Sequence, residues 1–217
     1  MSARALMDGV RELLFPKGYT CLLCGREAEV GEDGVCAECR KTLKRVRNYR
    51  KLSLVGAVPA AFWYEGAARN AMHRFKYNGA ARLADYFMGY VSVPEPERFD
   101  CIVPVPMHPL KRYFRRYSPA ELLAEVLSEK TGLPVEKDLL VRTRLTASQT
   151  KKSRLERTQV LSRVYAARPG IAGRNVLIVD DVVTTGSTLL ACASVCLQAG
   201  AASVGAACAC DTPETKK

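Results

Sequence analysis

The stretch Val176-Leu-Ile-Val-Asp-Asp-Val-Val-Thr-Thr-Gly-Ser-Thr188 decides how this 217-residue chain is read. With Asn175 in front of it, the run up to Asp180 is continuously apolar, as in a central parallel strand with neither face in water. Asp180 and Asp181 then stand at the carboxyl end of that strand, where open α/β sheets bind their ligands. The next residues, Thr184-Thr-Gly-Ser-Thr188, enter a helix predicted over residues 187–198 and closed by Gly200. Backbone N–H groups, hydroxyls and the positive end of a helix dipole converge on such a turn and suit a phosphate dianion. Gly186 lets the backbone approach that phosphate closely. Two carboxylates beside a phosphate cradle make electrostatic sense when the ligand gives them something to grip. A ribose does so: its hydroxyls donate to Asp180 and Asp181 while its 5′-phosphate sits in the turn. The plainer alternative is a capped helix behind two solvated acids. The turn is not a P-loop, because no Gly-Lys-Ser/Thr follows, and no Gly-x-Gly-x-x-Gly occurs.

On either side of this stretch, strands and helices alternate. Residues 54–64 read as extended, with Pro59 arguing against a central strand. Residues 69–77 and 82–90 read as amphipathic helices separated by Asn78-Gly79. Cys101-Ile-Val-Pro-Val-Pro106 is a short buried strand running into a loop, and a helix over residues 119–130 starts at Pro119 and ends at Gly132. A last strand covers residues 202–208. Strands separated by helices imply crossover connections and a parallel sheet.

The front of the chain differs. Cys21-Leu-Leu-Cys24 and Cys36-Ala-Glu-Cys39 form two matched pairs joined by a glycine-containing loop. Each short pair aims two thiolates at one tetrahedral ion, and two pairs complete a closed structural zinc site. So short a segment cannot bury enough apolar surface to fold alone, so the metal supplies its folding energy. The other cysteines, Cys101, Cys192, Cys196, Cys208 and Cys210, lie in apolar surroundings and read as small core residues. A basic stretch without one acid, residues 40–51, follows the module and reads either as a solvated linker or as a phosphate contact. The domain boundary falls there, giving a module over 1–50 and a main domain over 51–217.

Composition narrows the partners. Lys and Arg number 33 against 22 Asp and Glu, a net charge of +11 that favours polyanions without choosing among them. With 48% hydrophobic and 25% charged residues, fibrous and wholly disordered readings are excluded. No apolar run is long enough to span a bilayer. The first sixteen residues are broken by Arg4, Asp8, Arg11 and Glu12 and lack a signal peptide's apolar core, so a short helix and a cytoplasmic location are expected.

The stretch closely resembles the phosphoribosyl-diphosphate (PRPP) signature of type I phosphoribosyltransferases. With the four-cysteine front, the chain is similar to the ComF family, named for a role in bacterial competence. Phe62-Trp-Tyr-Glu-Gly66, His73-Arg-Phe-Lys-Tyr77 and Val103-Pro-Val-Pro-Met-His-Pro109 with Lys111-Arg112 match further blocks of that family. Two places depart from it: Arg116, Ser118 and Pro119 stand where the family usually has Gly, Asn and Gln, and Val160 stands where an Asn is common.

The resemblance implies a type I phosphoribosyltransferase fold, a central parallel sheet flanked by helices with a zinc-ribbon-like module in front. It implies that Asp180 and Asp181 hold the ribose hydroxyls, and that Val182, Val183, Thr184, Thr185, Gly186, Ser187 and Thr188 form the 5′-phosphate site. Residues 104–116, including Pro106, His108 and Lys111, would bind pyrophosphate. Residues 142–157 would be a mobile loop, with Arg112, Lys151 and Arg154 joining the acids in catalysis. Mg²⁺ would accompany the diphosphate, held by substrate oxygens and water. The implied activity is transfer of a phosphoribosyl group to an unidentified acceptor with release of pyrophosphate, linked to DNA uptake or nucleotide salvage. The alternative is a non-catalytic accessory protein that senses PRPP or binds single-stranded DNA, beside a helicase-like competence partner.

Overall fold

The computed structural model describes residues 20–77, 80–107, 117–143 and 164–213. The short helix expected over the first sixteen residues lies outside them.

Four parallel strands form the central sheet in the order β3-β8-β7-β4: β3 (Ala60–Trp63), β8 (Ser203–Asp211), β7 (Asn175–Val183) and β4 (Cys101–Pro104). Pro59 precedes β3, and β3 lies at the sheet edge, where a missing N–H costs no ladder bond. Most residues of β4, β7 and β8 are apolar because both faces are covered, the polar ones standing at or near strand ends. Along β7 the alternation separates two cores. Val176 and Ile178 face one, while Leu177 and Val179 face the other.

On the first face lies α5 (Ser187–Gln198), with two small antiparallel ribbons, β1 (Arg50–Leu52) with β2 (Gly56–Val58) and β5 (Leu140–Arg142) with β6 (Tyr165–Ala167). On the second face lie α2 (Gly66–Tyr77), α3 (Leu83–Gly89) and α4 (Pro119–Thr131), and the four-cysteine module with its short α1 (Ala37–Thr42) shares their core. Thr42, at the end of α1, accepts the Ala67 N–H through its Oγ1 at 3.2 Å and so satisfies an open amide at the start of α2. Helix α4 starts with Pro119 at its first turn and stops at Gly132, whose φ of 76° is the left-handed conformation that ends helices. No described helix is long and apolar enough to cross a membrane.

Strand β7 runs three residues beyond Asp180, because Val182 and Val183 keep pairing with Cys210 and Asp211 of β8. The two acids therefore sit within the strand, three and two residues before its end. Alternation turns their side chains toward different layers.

Candidate functional site

The carboxyl end of β7 and the start of α5 build the site. Gly186 takes the left-handed conformation (φ 78°) and ends the turn, so that α5 begins at Ser187. Ser187 is buried, and Thr185 Oγ1 lies 2.9 Å from Ser187 Oγ. Thr185 Oγ1 also accepts the Ser187 N–H at 3.4 Å. Thr184 is exposed and Thr188 half-buried, so hydroxyls lie beside the first amides of a helix. From behind, Leu52 of β1 packs directly on Gly186.

The acids lie just upstream. Asp181 Oδ1 accepts a hydrogen bond from Lys76 Nζ of α2 at 2.9 Å, with about four-fifths of both side chains buried (19% and 18% exposed). Asp180 folds its carboxylate onto the backbone N–H of Asp181 at 2.8 Å. Burial and the neighbouring Asp181 charge push Asp180 up to about 7, against the opposing pull of that N–H and of Lys76. The second strand exit lies alongside. Val105 N–H bonds Val179 O at 2.8 Å, which sets half-buried Pro106 beside the acids.

Beyond β8, buried Asp211 pairs with Arg50 of β1 at 2.8 Å, and Arg50 also donates to Thr212 O. Two buried hydroxyls around this end of the sheet, Thr212 Oγ1 and Ser118 Oγ at the start of α4, have no hydrogen-bond partner among the described residues. Buried polar groups are nearly always satisfied, so such orphans suit a polar ligand or water at this end.

Of the residues predicted from sequence, the structure gathers Asp180, Asp181, Val182, Val183, Thr184, Thr185, Gly186, Ser187, Thr188 and Pro106. His108, Lys111, Arg112, Lys151 and Arg154 lie outside the described residues, as does most of 142–157. Sequence reasoning passed over Lys76 as a site residue. Its signal was a lysine on a helix that buries Ala67, Ala68, Ala71, Met72 and Phe75, the pattern of an ordinary amphipathic element.

The four-cysteine cluster stands apart from this site. The Sγ atoms of Cys21, Cys24, Cys36 and Cys39 all lie within 4.8 Å of one another. Tetrahedral zinc, with bonds of about 2.3 Å to sulfur, needs thiolates about 3.8 Å apart, so this donor set fits the ion after small adjustments. Burial works to raise the Cys24 thiol, but hydrogen bonds from the Arg26 amide and guanidinium pull it down to about 6. Arg74 of α2 donates to Leu22 O at 2.6 Å and packs against Gly25. Helix α2 thus touches the cysteine turn with Arg74 and the acid pair with Lys76.

Comparison with known proteins agrees with this layout. Residues 118–217 match the phosphoribosyl transferase domain family, so the sheet carrying the acid pair is a phosphoribosyltransferase-type fold. Competence protein ComFC of Bacillus subtilis (strain 168) is 29% identical over 189 residues, covering 85% of this chain and 74% of that protein. Competence protein F of Haemophilus influenzae is 24% identical over 79% of this chain and 87% of its own. DNA utilization protein YhgH of Escherichia coli (strain K12) is 36% identical over 113 residues, though that match spans only half of its length. The chain is a homologue of these ComF and YhgH proteins, a four-cysteine module in front of a phosphoribosyltransferase domain.

Proposed function

We propose that this protein binds PRPP and transfers its phosphoribosyl group to an acceptor, releasing pyrophosphate. The observation that carries the reading is the hydroxyl-lined turn at the start of α5, directly downstream of the Asp180–Asp181 pair on β7. The turn would suit the 5′-phosphate through the amides of a helix start and the hydroxyls of Thr184, Thr185, Ser187 and Thr188. The acids would suit the ribose hydroxyls, accepting their O–H hydrogen bonds.

In the transfer, the bond from C1 of the ribose to pyrophosphate breaks and a bond from C1 to the acceptor forms. The acceptor loses its proton if it carries one. The ring becomes cation-like on the way, so no protein nucleophile is needed. The protein's part is to fix the ring between turn and acids, and negative charge nearby favours that cation. Lys111, Arg112, Lys151 and Arg154 would neutralise the departing diphosphate. Mg²⁺ would be bound through the diphosphate oxygens and would add positive charge there. The zinc module would be structural, holding α2 from the far side. The competence and DNA-utilization names of the relatives support a role linked to DNA uptake or nucleotide salvage.

Calorimetry with PRPP and Mg²⁺ tests the pocket. The wild type binds, and Asp180→Asn with Asp181→Asn loses binding; equal affinity in both refutes the assignment. Incubation with Mg²⁺, PRPP and a broad acceptor panel tests transfer, through acceptor-dependent pyrophosphate. Binding without such release across the panel favours the non-catalytic, PRPP-sensing alternative.

A further inference from the structure

Lys76 is an unusual neighbour for the acid pair. It projects from the second-face layer onto a β7 carboxylate 105 residues away, and Asp181 is its only hydrogen-bond partner among the described residues. Its ammonium has three donors, and two of them have no acceptor among the described residues. Anchoring α2 does not explain it. Five side chains of α2 are already buried in the core, and Arg74 ties the helix to Leu22 O. An ion pair taken out of water gains little net stability. What the pair changes is the charge of the site. Two adjacent carboxylates would repel a ligand that carries a diphosphate and a phosphate, and a cation 2.9 Å from one of them offsets that repulsion.

We propose that Lys76 is a positioning residue of the sugar site: it fixes the Asp181 carboxylate as an acceptor for a ribose hydroxyl and offsets the charge of the acid pair, so that a polyanionic sugar phosphate can enter. This rests on the PRPP reading of the pocket. Lys76 stays cationic: burial works against its charge, but Asp181, Asp180 and Tyr64 outweigh it and raise its proton affinity. The charged and titratable groups around the pair are Tyr64 after β3 and Cys210 of β8 on the α2 side. On the α5 side they are Cys192 of α5, Cys208 of β8, Tyr165 of β6 and Arg142 of β5. Among these, Lys76 is the cation that acts on Asp180, and it pulls that carboxyl down.

The experiment is calorimetry with PRPP and Mg²⁺ from pH 6 to 9 on the full chain, comparing wild type, Lys76→Met, Lys76→Arg and the Asp180→Asn/Asp181→Asn double variant. Lys76→Met should bind at least tenfold more weakly at pH 7, with the pH midpoint of binding moved upward. Lys76→Arg should restore both to within about threefold of wild type. A merely structural lysine would leave the pH midpoint in place. If wild type binds, the double variant does not, and Lys76→Met matches wild type at every pH, the Lys76 proposal alone falls. If wild type does not bind, the pocket reading falls and takes the proposal with it. Should Lys76→Met not fold, ¹⁵N NMR of the Lys76 ammonium in unaltered protein decides: saturating PRPP must shift that resonance, and an unmoved signal overturns the proposal.

Discussion

Leu52 of β1 occupies the space that a side chain on Gly186 would need: a Cβ there would lie 2.6 Å from one Leu52 methyl and 2.7 Å from the other. The turn that opens α5 is thus held from behind by the residue that follows the basic stretch. Gly186 is constrained twice, by this contact and by its φ of 78°. Gly186→Ala should lower stability by about 2–3 kcal/mol, combining backbone strain with overpacking. Urea denaturation measures this, and a loss below about 0.5 kcal/mol would refute the contact.

The same ribbon carries Arg50, which pairs with Asp211 where the two side chains are 9% and 1% exposed. A pair this deep does not stabilise much as a pair, but breaking one side leaves a buried charge alone. Arg50→Met should therefore destabilise by about 3–5 kcal/mol, and Arg50→Met combined with Asp211→Leu should recover more than half of that. Thermal melts of the two variants check it; equal losses in both would show that the interaction does not matter in the way described.

Strand β7, the turn and α5 were legible because they are local: an apolar run, an acid pair and hydroxyls at a helix start lie within a few residues of one another. Pro59 also announced an edge strand correctly, since proline removes a ladder donor whatever surrounds it. The end of β7 was misjudged by three residues, because two acids look like a strand terminus until β8 is seen pairing with Val182 and Val183. The partnerships of the basic stretch were not legible at all. Arg50 meets an acid 161 residues later, and Arg45 lies 4.5 Å over the Tyr90 ring and 5.4 Å over that of Phe62. Charge patterning along a sequence offered only solvent or phosphate for such cations, because tertiary partners leave no local trace. Lys76 escaped for the same reason.

The cysteine module makes a separate prediction through Arg74. Protein purified without added zinc should carry about one equivalent, and Cys39→Ser should lose it. Arg74→Ala should retain the metal but release it faster to a chelator, because Leu22 O loses a charged donor worth about 1.5–3 kcal/mol. Release followed with a colorimetric zinc indicator reads this directly. Identical rates in wild type and variant would show that α2 does not brace the turn.

Asp180 links the site to stability. An exposed aspartate titrates near 3.9, whereas burial and the adjacent Asp181 bring this one up to about 7. Between those two values the folded protein holds a proton that the unfolded chain has released, so stability must fall as pH rises from about 4 to about 7 and stay low above it. Asp180→Asn keeps the shape of the side chain and cannot ionise. It should be more stable than wild type at pH 8 by about 1–2 kcal/mol, after discounting for partial exposure, and a gain of that size is several degrees of Tm. Below the unfolded value, at about pH 3.5, the two proteins should melt together. The same variant should bind PRPP poorly, since an amide nitrogen replaces one of the acceptors for the ribose hydroxyls. A carboxylate that weakens the empty protein and strengthens the liganded one is kept for binding; melts that show no gain for Asp180→Asn at pH 8 would place Asp180 in an ordinary solvated setting and remove the electrostatic basis of the site.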